Sequence, residues 1–511
     1  MSKYKFLWMI GFALLAIVGM SGISLAQSVV AEDYNWCSDD TQWGDGRCID
    51  NEDLSYCYWQ LGWYMPRIDA GMFSIDDVQS DCLYQLPEVS VTEEIDESTG
   101  CKRFVVVING SPYKGRADII ETSDDYDGST LKNTCGLTIH GNNNSNIITG
   151  TSFYDIIFGY GSDDTIYGGA GDDEIYGDSR SEEGSGNDTI YGGAGNDEIY
   201  GDSFFGEGSG NDTIDGGDGD DEIYGDSFYG ISSGDDTIDG GDGDDEIYGD
   251  SYSEESTGND TIDGGDGDDY IVGDSALGTD GGGDDTIDGG AGDDEIYGDT
   301  RLSIGTGDDT IDGGDGDDII YADSYFGIGG GDDTIDGGDG DDKIYADSLY
   351  SAGGGNDTID GGDGDDTIVG DSLEGMGIGN DIINGGDGND SIVGDSSEGT
   401  GSGDDTIDGG DGDDYIVGDS QSGDSSGNDD IDGGAGDDTI FGDSYSGSGS
   451  GNDDIDGGAG DDTIVGDSYS GDSSGDDDID GGDGLADVNT GSGNTGDTVI
   501  NVETDNSTPD D

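Results

Sequence analysis

Gly216-Gly217-Asp218-Gly219-Asp220-Asp221-Glu222-Ile223-Tyr224 is the stretch that decides the fold, because it returns in register along most of the chain. Close copies begin at Gly168, Gly192, Gly240 and Gly264, and the series runs on to Gly457. Ile148, Ile157, Ile166 and Ile175 are spaced by nine positions. After them, steps of fifteen and nine alternate, so that Ile190, Ile214, Ile238 and Ile262 recur at every twenty-fourth position. One extra residue shifts the register to Ile287, and the same long step then continues to Ile479. A second row follows nine positions behind, from Ile199 to Ile464, which makes 13 full units and a last half unit. A fixed period of this kind marks a stacked array, in which each unit buries its apolar side only against its neighbours.

Each unit holds two short strand candidates bounded by glycine-rich turns, such as Asp212-Thr213-Ile214-Asp215 and Asp221-Glu222-Ile223-Tyr224. Neighbours in a strand point to opposite faces. Ile therefore faces inward, while Thr213 and Asp215, or Glu222 and Tyr224, face out. Stacking at about 4.8 Å per coil gives a rod ~60 Å long. The expected fold class is all-β: a parallel β-roll or β-solenoid with about 24 residues per coil, preceded by a small disulfide-rich domain. Two sides are expected, or three if the longer turn contains a strand.

Composition makes such a fold difficult. The 511 residues carry 125 Asp+Glu against 12 Lys+Arg, a formal net charge of -113, with 106 Gly. Chains this acidic and this poor in apolar residues usually stay unfolded, because charge opposes compaction. One large apolar residue per half-coil contributes roughly 1.5–3 kcal/mol when buried. The nine or more residues it must order each cost about 1–2 kcal/mol in backbone entropy. Burial loses, so something must hold the turns, and the turns contain carboxylates. The same charge excludes partners. Only Arg180, Arg301 and Lys343 are basic in the repeats, so no stripe exists to track phosphates and nucleic acid is excluded.

The stretch Gly168-Gly169-Ala170-Gly171-Asp172-Asp173-Glu174-Ile175-Tyr176 resembles the nonapeptide G-G-x-G-x-D-x-U-x of the RTX (repeats-in-toxin, haemolysin-type) calcium-binding proteins. The resemblance implies Ca2+ as cofactor, shared between loops stacked one coil apart. Ca2+ takes six to eight oxygens, and glycine allows the tight turn and brings carbonyls close. By resemblance, the ligands are the carbonyls at the second and fourth places and the carboxylate at the sixth. On the short turn these are Gly169, Gly171 and Asp173; Gly193, Gly195 and Asp197; Gly217, Gly219 and Asp221; Gly241, Gly243 and Asp245; and Gly265, Gly267 and Asp269. The sixth-place series continues through Asp294, Asp318, Asp342, Asp366, Asp390, Asp414, Asp438 and Asp462.

The other half of each unit carries six extra residues at its start and keeps G-x-G-x-D-x-U at its end, as in Gly208-Ser209-Gly210-Asn211-Asp212-Thr213-Ile214. Its sixth-place residues are Asp188, Asp212, Asp236, Asp260, Asp285, Asp309, Asp333, Asp357, Asp381, Asp405, Asp429 and Asp453. A coil of the family is two nonapeptides, so the longer coil bulges here and its calcium sites are expected to be the less secure. A Gly-Asp-Ser step recurs in the bulge, as at Asp226, Asp250, Asp274, Asp371 and Asp395. Its Asp adds ligands or simply ends a strand. One ion between every pair of loops gives up to about 25 ions, which neutralises under half of the charge. The sequon Asn187-Asp188-Thr189 lies inside an ion loop and reads as accidental. Recurrence of the Asp pairs in every coil reads as structural repetition rather than acid/base catalysis.

Outside the repeats, Lys3 and Lys5 precede an apolar run from Phe6 to Val18 and a Ser24-Leu25-Ala26 step, which reads as a signal peptide over 1–26. All six Cys lie between Cys37 and Cys135, an even set in an exported chain that implies disulfides. Residues 27–140 thus form a Cys- and Trp-rich domain with a strand at Arg103–Ile108 ended by Asn109-Gly110. A catalytic thiol would need His140, the single His, which sits in no motif. The repeats occupy 141–488, and a cap and tail 489–511, with a last strand over Asp497–Glu503. No membrane span follows signal cleavage.

The function expected is that of a secreted, extracellular, non-enzymatic calcium-binding protein, folding on Ca2+ and serving as a structural or spacer module. The alternative is an adhesin or surface-layer component whose head, residues 27–140, binds a glycan or matrix. An active enzyme or toxin head lacks motifs. An ice-binding face would want a flat Thr-x-Thr array where this chain has Thr-x-Asp.

Overall fold

Each strand is a short run around one Ile, closed on both sides by glycine and aspartate, which favour turns over extension. Runs this short cannot form a sheet except by repetition. A computed structural model describes residues 138–482 apart from 181–185, 207, 232, 253–257, 278–281, 303, 349, 351–352 and 470–474, together with Gly136 and backbone strands between Val89 and Asp127 and between Asp487 and Ile500. The expected signal peptide, the six Cys and the Trp cluster lie outside the described residues.

Two parallel ladders face each other. One runs from Ile119–Glu121 through Thr138–His140, Ile156–Phe158 and Glu174–Tyr176 to Asp487–Asn489. The other runs from Tyr126–Asp127 through Ile147–Thr149 and Thr165–Ala170 to Thr498–Ile500. Among the described residues no pairing joins first strand to last, so each ladder is an open sheet. Identical residues pair: Ile175 with Ile199 and Ile199 in turn with Ile223, and Ile190 with Ile214 and Ile214 in turn with Ile238. The first coils step by two nonapeptides, as from Ile157 to Ile175. Later ones take the longer step read from the sequence, as from Ile175 to Ile199, with one further residue between Ile271 and Ile296. The first pairing, Ile119–Glu121 with Thr138–His140, lies upstream of position 141, where the repeats were expected to begin.

Both Ile rows meet in one core between the sheets, each Ile at most 2% exposed. Replacing Ile296 by Ala is expected to cost about 2–5 kcal/mol, since the close-packed rows of the adjoining coils cannot collapse into the gap. The check is the denaturant midpoint in saturating calcium.

The expectation that Tyr224 faces solvent is corrected. Tyr176, Tyr200, Tyr224 and Tyr248 do point away from the Ile core, yet they are 0–2% exposed. The six extra residues fold back over them. Phe204, Phe228 and Tyr252 in the long turns stack on one another at 4.9 Å, and Phe228 meets Tyr224 edge-on at 5.0 Å. The Tyr rings stack as a second core, 4.9 Å apart from Tyr224 to Tyr248, and His140 caps the column on Phe158 at 4.9 Å. The long turn adds only single parallel bridges, such as Thr300 to Ser324 and Ser324 to Ser348. Among the described residues the coil is therefore two sheets plus isolated bridges between successive long turns.

Two sequence-based expectations outside the coils hold in the backbone. The expected strand is Lys102–Ile108, and it pairs antiparallel with Ser111–Tyr113. Thr498–Ile500 adds the last strand of its ladder. No described helix is long and apolar enough to cross a membrane.

Candidate metal centre

The turns place one Asp before every strand. In the short turn the second-place glycines take positive φ, from Gly169 at 119° to Gly482 at 68°, and so do most fourth-place glycines, from Gly171 at 125° to Gly436 at 159°. No long-turn glycine does so among the described residues, so the two turns differ in backbone despite the shared G-x-G-x-D spacing.

All the expected sixth-place carboxylates are buried, between 0 and 3% exposed, on the short turn from Asp173 to Asp462 and on the long turn from Asp188 to Asp453. Each is tied to its neighbour in the same way. The Asp173 N–H donates to Asp197 Oδ1 at 2.7 Å, and Asp197 N–H to Asp221 Oδ1 at 2.7 Å. On the long turn Asp188 N–H donates to Asp212 Oδ1, and Asp212 N–H to Asp236 Oδ1, both at 2.6 Å. The second oxygen is left over. Oδ2 of Asp197, Asp221, Asp212 and Asp236 is buried and receives no hydrogen bond. Such groups are costly unless paired.

Carbonyls converge on these oxygens. A Cβ placed on first-place Gly216 would lie 2.5 Å from Asp221 Oδ2 and 2.5 Å from the Gly240 carbonyl of the next coil. Second-place carbonyls instead accept the third-place N–H of the following coil, as Gly314 O does from Asp339 at 2.8 Å. Each fourth-place carbonyl approaches the fourth-place glycine one coil on. The first-place carbonyl is thus the one placed beside the unpaired carboxylate oxygen, a position the nonapeptide resemblance did not point to.

The long turn holds more carboxylate than expected. The Gly-Asp-Ser residues are buried, Asp202, Asp226, Asp250 and Asp274 at 0%. One oxygen closes the bulge: Asp226 Oδ2 accepts the Gly234 N–H at 3.0 Å, and Asp250 Oδ2 the Gly258 N–H at 2.9 Å. Their carboxylates then join the sixth-place Asp. Asp178/Asp188/Asp202, Asp202/Asp212/Asp226, Asp226/Asp236/Asp250, Asp250/Asp260/Asp274 and Asp274/Asp285/Asp299 each bring three carboxylate oxygens within 4.8 Å of one another. Three more groups of at least this size occur among the described residues. Sequence reading left this step undecided because a Gly-Asp-Ser triplet also ends strands; the recurrence of its Asp once in every long coil, even where the neighbours change as at Asp299, Asp323 and Asp347, was the available signal.

Burial pushes these acids up. Asp173 rises to about 8, through burial and the charges of Asp155, Asp197 and Asp172, against the opposing hydrogen bond from Asp155. Asp221 rises to about 8 and Asp188 to about 9, with burial the largest cause in both. Without a cation the folded coil would hold many of them protonated. A hard divalent ion among all-oxygen donors reverses this by keeping them ionised, and the donor set, carboxylates plus glycine carbonyls, fits Ca2+ and not the softer metals.

A parallel β-solenoid with buried oxygen-donor columns in its turns defines a class of cation-binding repeat protein. The profile of the RTX calcium-binding nonapeptide repeat (4 copies) matches 13 segments of the sequence, from 140–178 to 448–468, more than half of its length. The chain belongs to that family and is a calcium-binding repeat protein. The crystal structure of a hyperactive, Ca2+-dependent, beta-helical antifreeze protein from an Antarctic bacterium is similar over 72% of this chain and 86% of that one, at 18% identity and a TM-score of 0.27, a likeness that carries no argument here. No curated protein matches the sequence.

Proposed function

We propose that this is a non-enzymatic, exported protein whose repeats stay expanded at low calcium and fold into a rod on meeting roughly millimolar Ca2+, the rod acting as a structural spacer. The observation that carries the reading is the pair of Asp columns with one buried oxygen each and no donor for it. Such columns repel one another until cations enter, so the free energy of binding becomes free energy of folding. Export is supported by the leader-like segment at 1–26 and by the confinement of Cys to one stretch. Binding at the second-, fourth- and sixth-place residues, and a total of up to about 25 ions, belong to the same proposal.

The test is a calcium titration of the full chain, followed by small-angle scattering and far-UV circular dichroism, with ions counted on the saturated protein. The expected result is a sharp fall in radius together with a rise in β signal and stoichiometric calcium. A rod already compact in excess chelator would overturn the reading.

A further inference from the structure

We propose that the Gly-Asp-Ser carboxylates and the long-turn sixth-place Asp together form a separate, tighter class of Ca2+ sites, distinct from those of the short turn. This rests on the calcium reading above and adds the residues, the ordering and the stoichiometry.

The first support is charge. Each triad takes its two outer carboxylates from neighbouring coils and shares them with the next triad, as Asp226 serves both Asp212 and Asp236. Each long-turn site therefore owns two carboxylates, which balance one divalent ion. The short turn supplies one buried Asp per coil, which leaves its ions under-neutralised.

The second support is the state of the side chains. Asp226 and Asp250 are fully buried and Asp212 and Asp236 are 1% exposed, so all four exceed nine-tenths burial. Asp226 and Asp250 spend Oδ2 on closing the bulge, while their Oδ1 atoms receive no donor. Oδ2 of Asp212 and Asp236 is likewise without one. A role confined to ending strands or closing loops accounts for the first oxygen and not for the second. Only a proton or a cation settles between facing carboxylates, and a backbone carbonyl stands close by. A Cβ placed on Gly201 would lie 2.3 Å from Asp212 Oδ2 and 1.6 Å from the Gly225 carbonyl.

A consequence follows for order. Ligand charge count tunes calcium affinity over orders of magnitude, so the long-turn class is expected to half-fill at about tenfold or more lower free calcium than the short-turn class. Its sites lie at the root of each bulge, directly after the Tyr column at Tyr224-Gly225-Asp226. Filling them first closes the bulge over the Tyr rings before the short turns are complete.

The experiment counts bound calcium on the full chain across chelator-buffered free calcium. The proteins are the unaltered chain, a variant with Asp202→Asn, Asp226→Asn, Asp250→Asn and Asp274→Asn, and a control with Asp197→Asn, Asp221→Asn, Asp245→Asn and Asp269→Asn. The unaltered chain is expected to fill in two phases. The first variant should lose about five ions from the early phase, one for each triad it touches. The control should lose ions only from the late phase. If the first variant does not fold at saturating calcium, Asp226→Asn alone, which touches two triads, is expected to lose two early ions. A single phase with full stoichiometry, or loss from the same phase in both variants, overturns the two-class assignment and leaves the calcium reading standing. A chain that binds no calcium at all overturns both.

Discussion

In excess chelator the solenoid is expected to be expanded at pH 8 and to gain β structure as the pH is lowered toward 4, whereas in saturating calcium it is expected to be folded already at pH 8 and to lose bound calcium and calcium-derived stability on the same acidification. The sign follows from which form holds the proton. In the cation-free coil, burial raises Asp164 and Asp197 to about 7, Asp173 and Asp221 to about 8 and Asp188 to about 9. In the unfolded chain these groups titrate near about 4. Between those values the coil binds more protons than the open chain, so stability falls as pH rises. The contribution is fully present below pH ~4 and is lost as pH climbs through about 7 to 9. Calcium inverts the dependence, because it binds only the ionised carboxylates and acid then competes with it. With dozens of such groups in register, the change is a transition of the whole rod. Circular dichroism from pH 8 to 4, in chelator and in calcium, checks it; parallel curves in the two conditions would contradict it.

The second large effect is expected from Gly243→Val. Gly243 sits at φ +143°, and a Cβ there would lie 2.1 Å from the Gly219 carbonyl and 2.5 Å from its carbon, both in the coil before. The forbidden dihedral alone costs about 1–3 kcal/mol, more for a β-branched side chain. The clash is with backbone, which cannot step aside without breaking the 2.7 Å bond from Gly219 N–H to Asp242 O. In a solenoid each coil touches only its neighbours, so one failed interface uncouples the rod on its two sides. The expected result is a higher calcium midpoint and an unfolding curve that splits into two steps. Gly330→Ala is the matched control. Its Cβ would meet nothing within 4 Å, and the substitution is expected to be neutral or slightly stabilising, by up to about 1 kcal/mol.

The repeat shows how far the chain alone could be read. Period, parallel stacking, inward Ile and the sixth-place Asp rows were all legible, because they depend on spacing within one unit. Ile223 and Asp221 occupy the places that their nonapeptide assigns them. Three things were not legible. The burial of Tyr224 depends on Phe228, in the next bulge, folding back over it. The role of the first-place carbonyl depends on which carbonyls the stacking leaves free. The grouping of Asp226 with Asp212 and Asp236 depends on contact between successive coils.

The amino-acid sequence by itself determined that this protein is a coil repeated at a constant pitch, since identical residues at equal intervals can satisfy one another only by stacking in register. The tertiary structure alone decided which side of the coil carries the denser negative charge. The six inserted residues fit no place of the nonapeptide, and only their path across the stack brings a second carboxylate of each coil to the first.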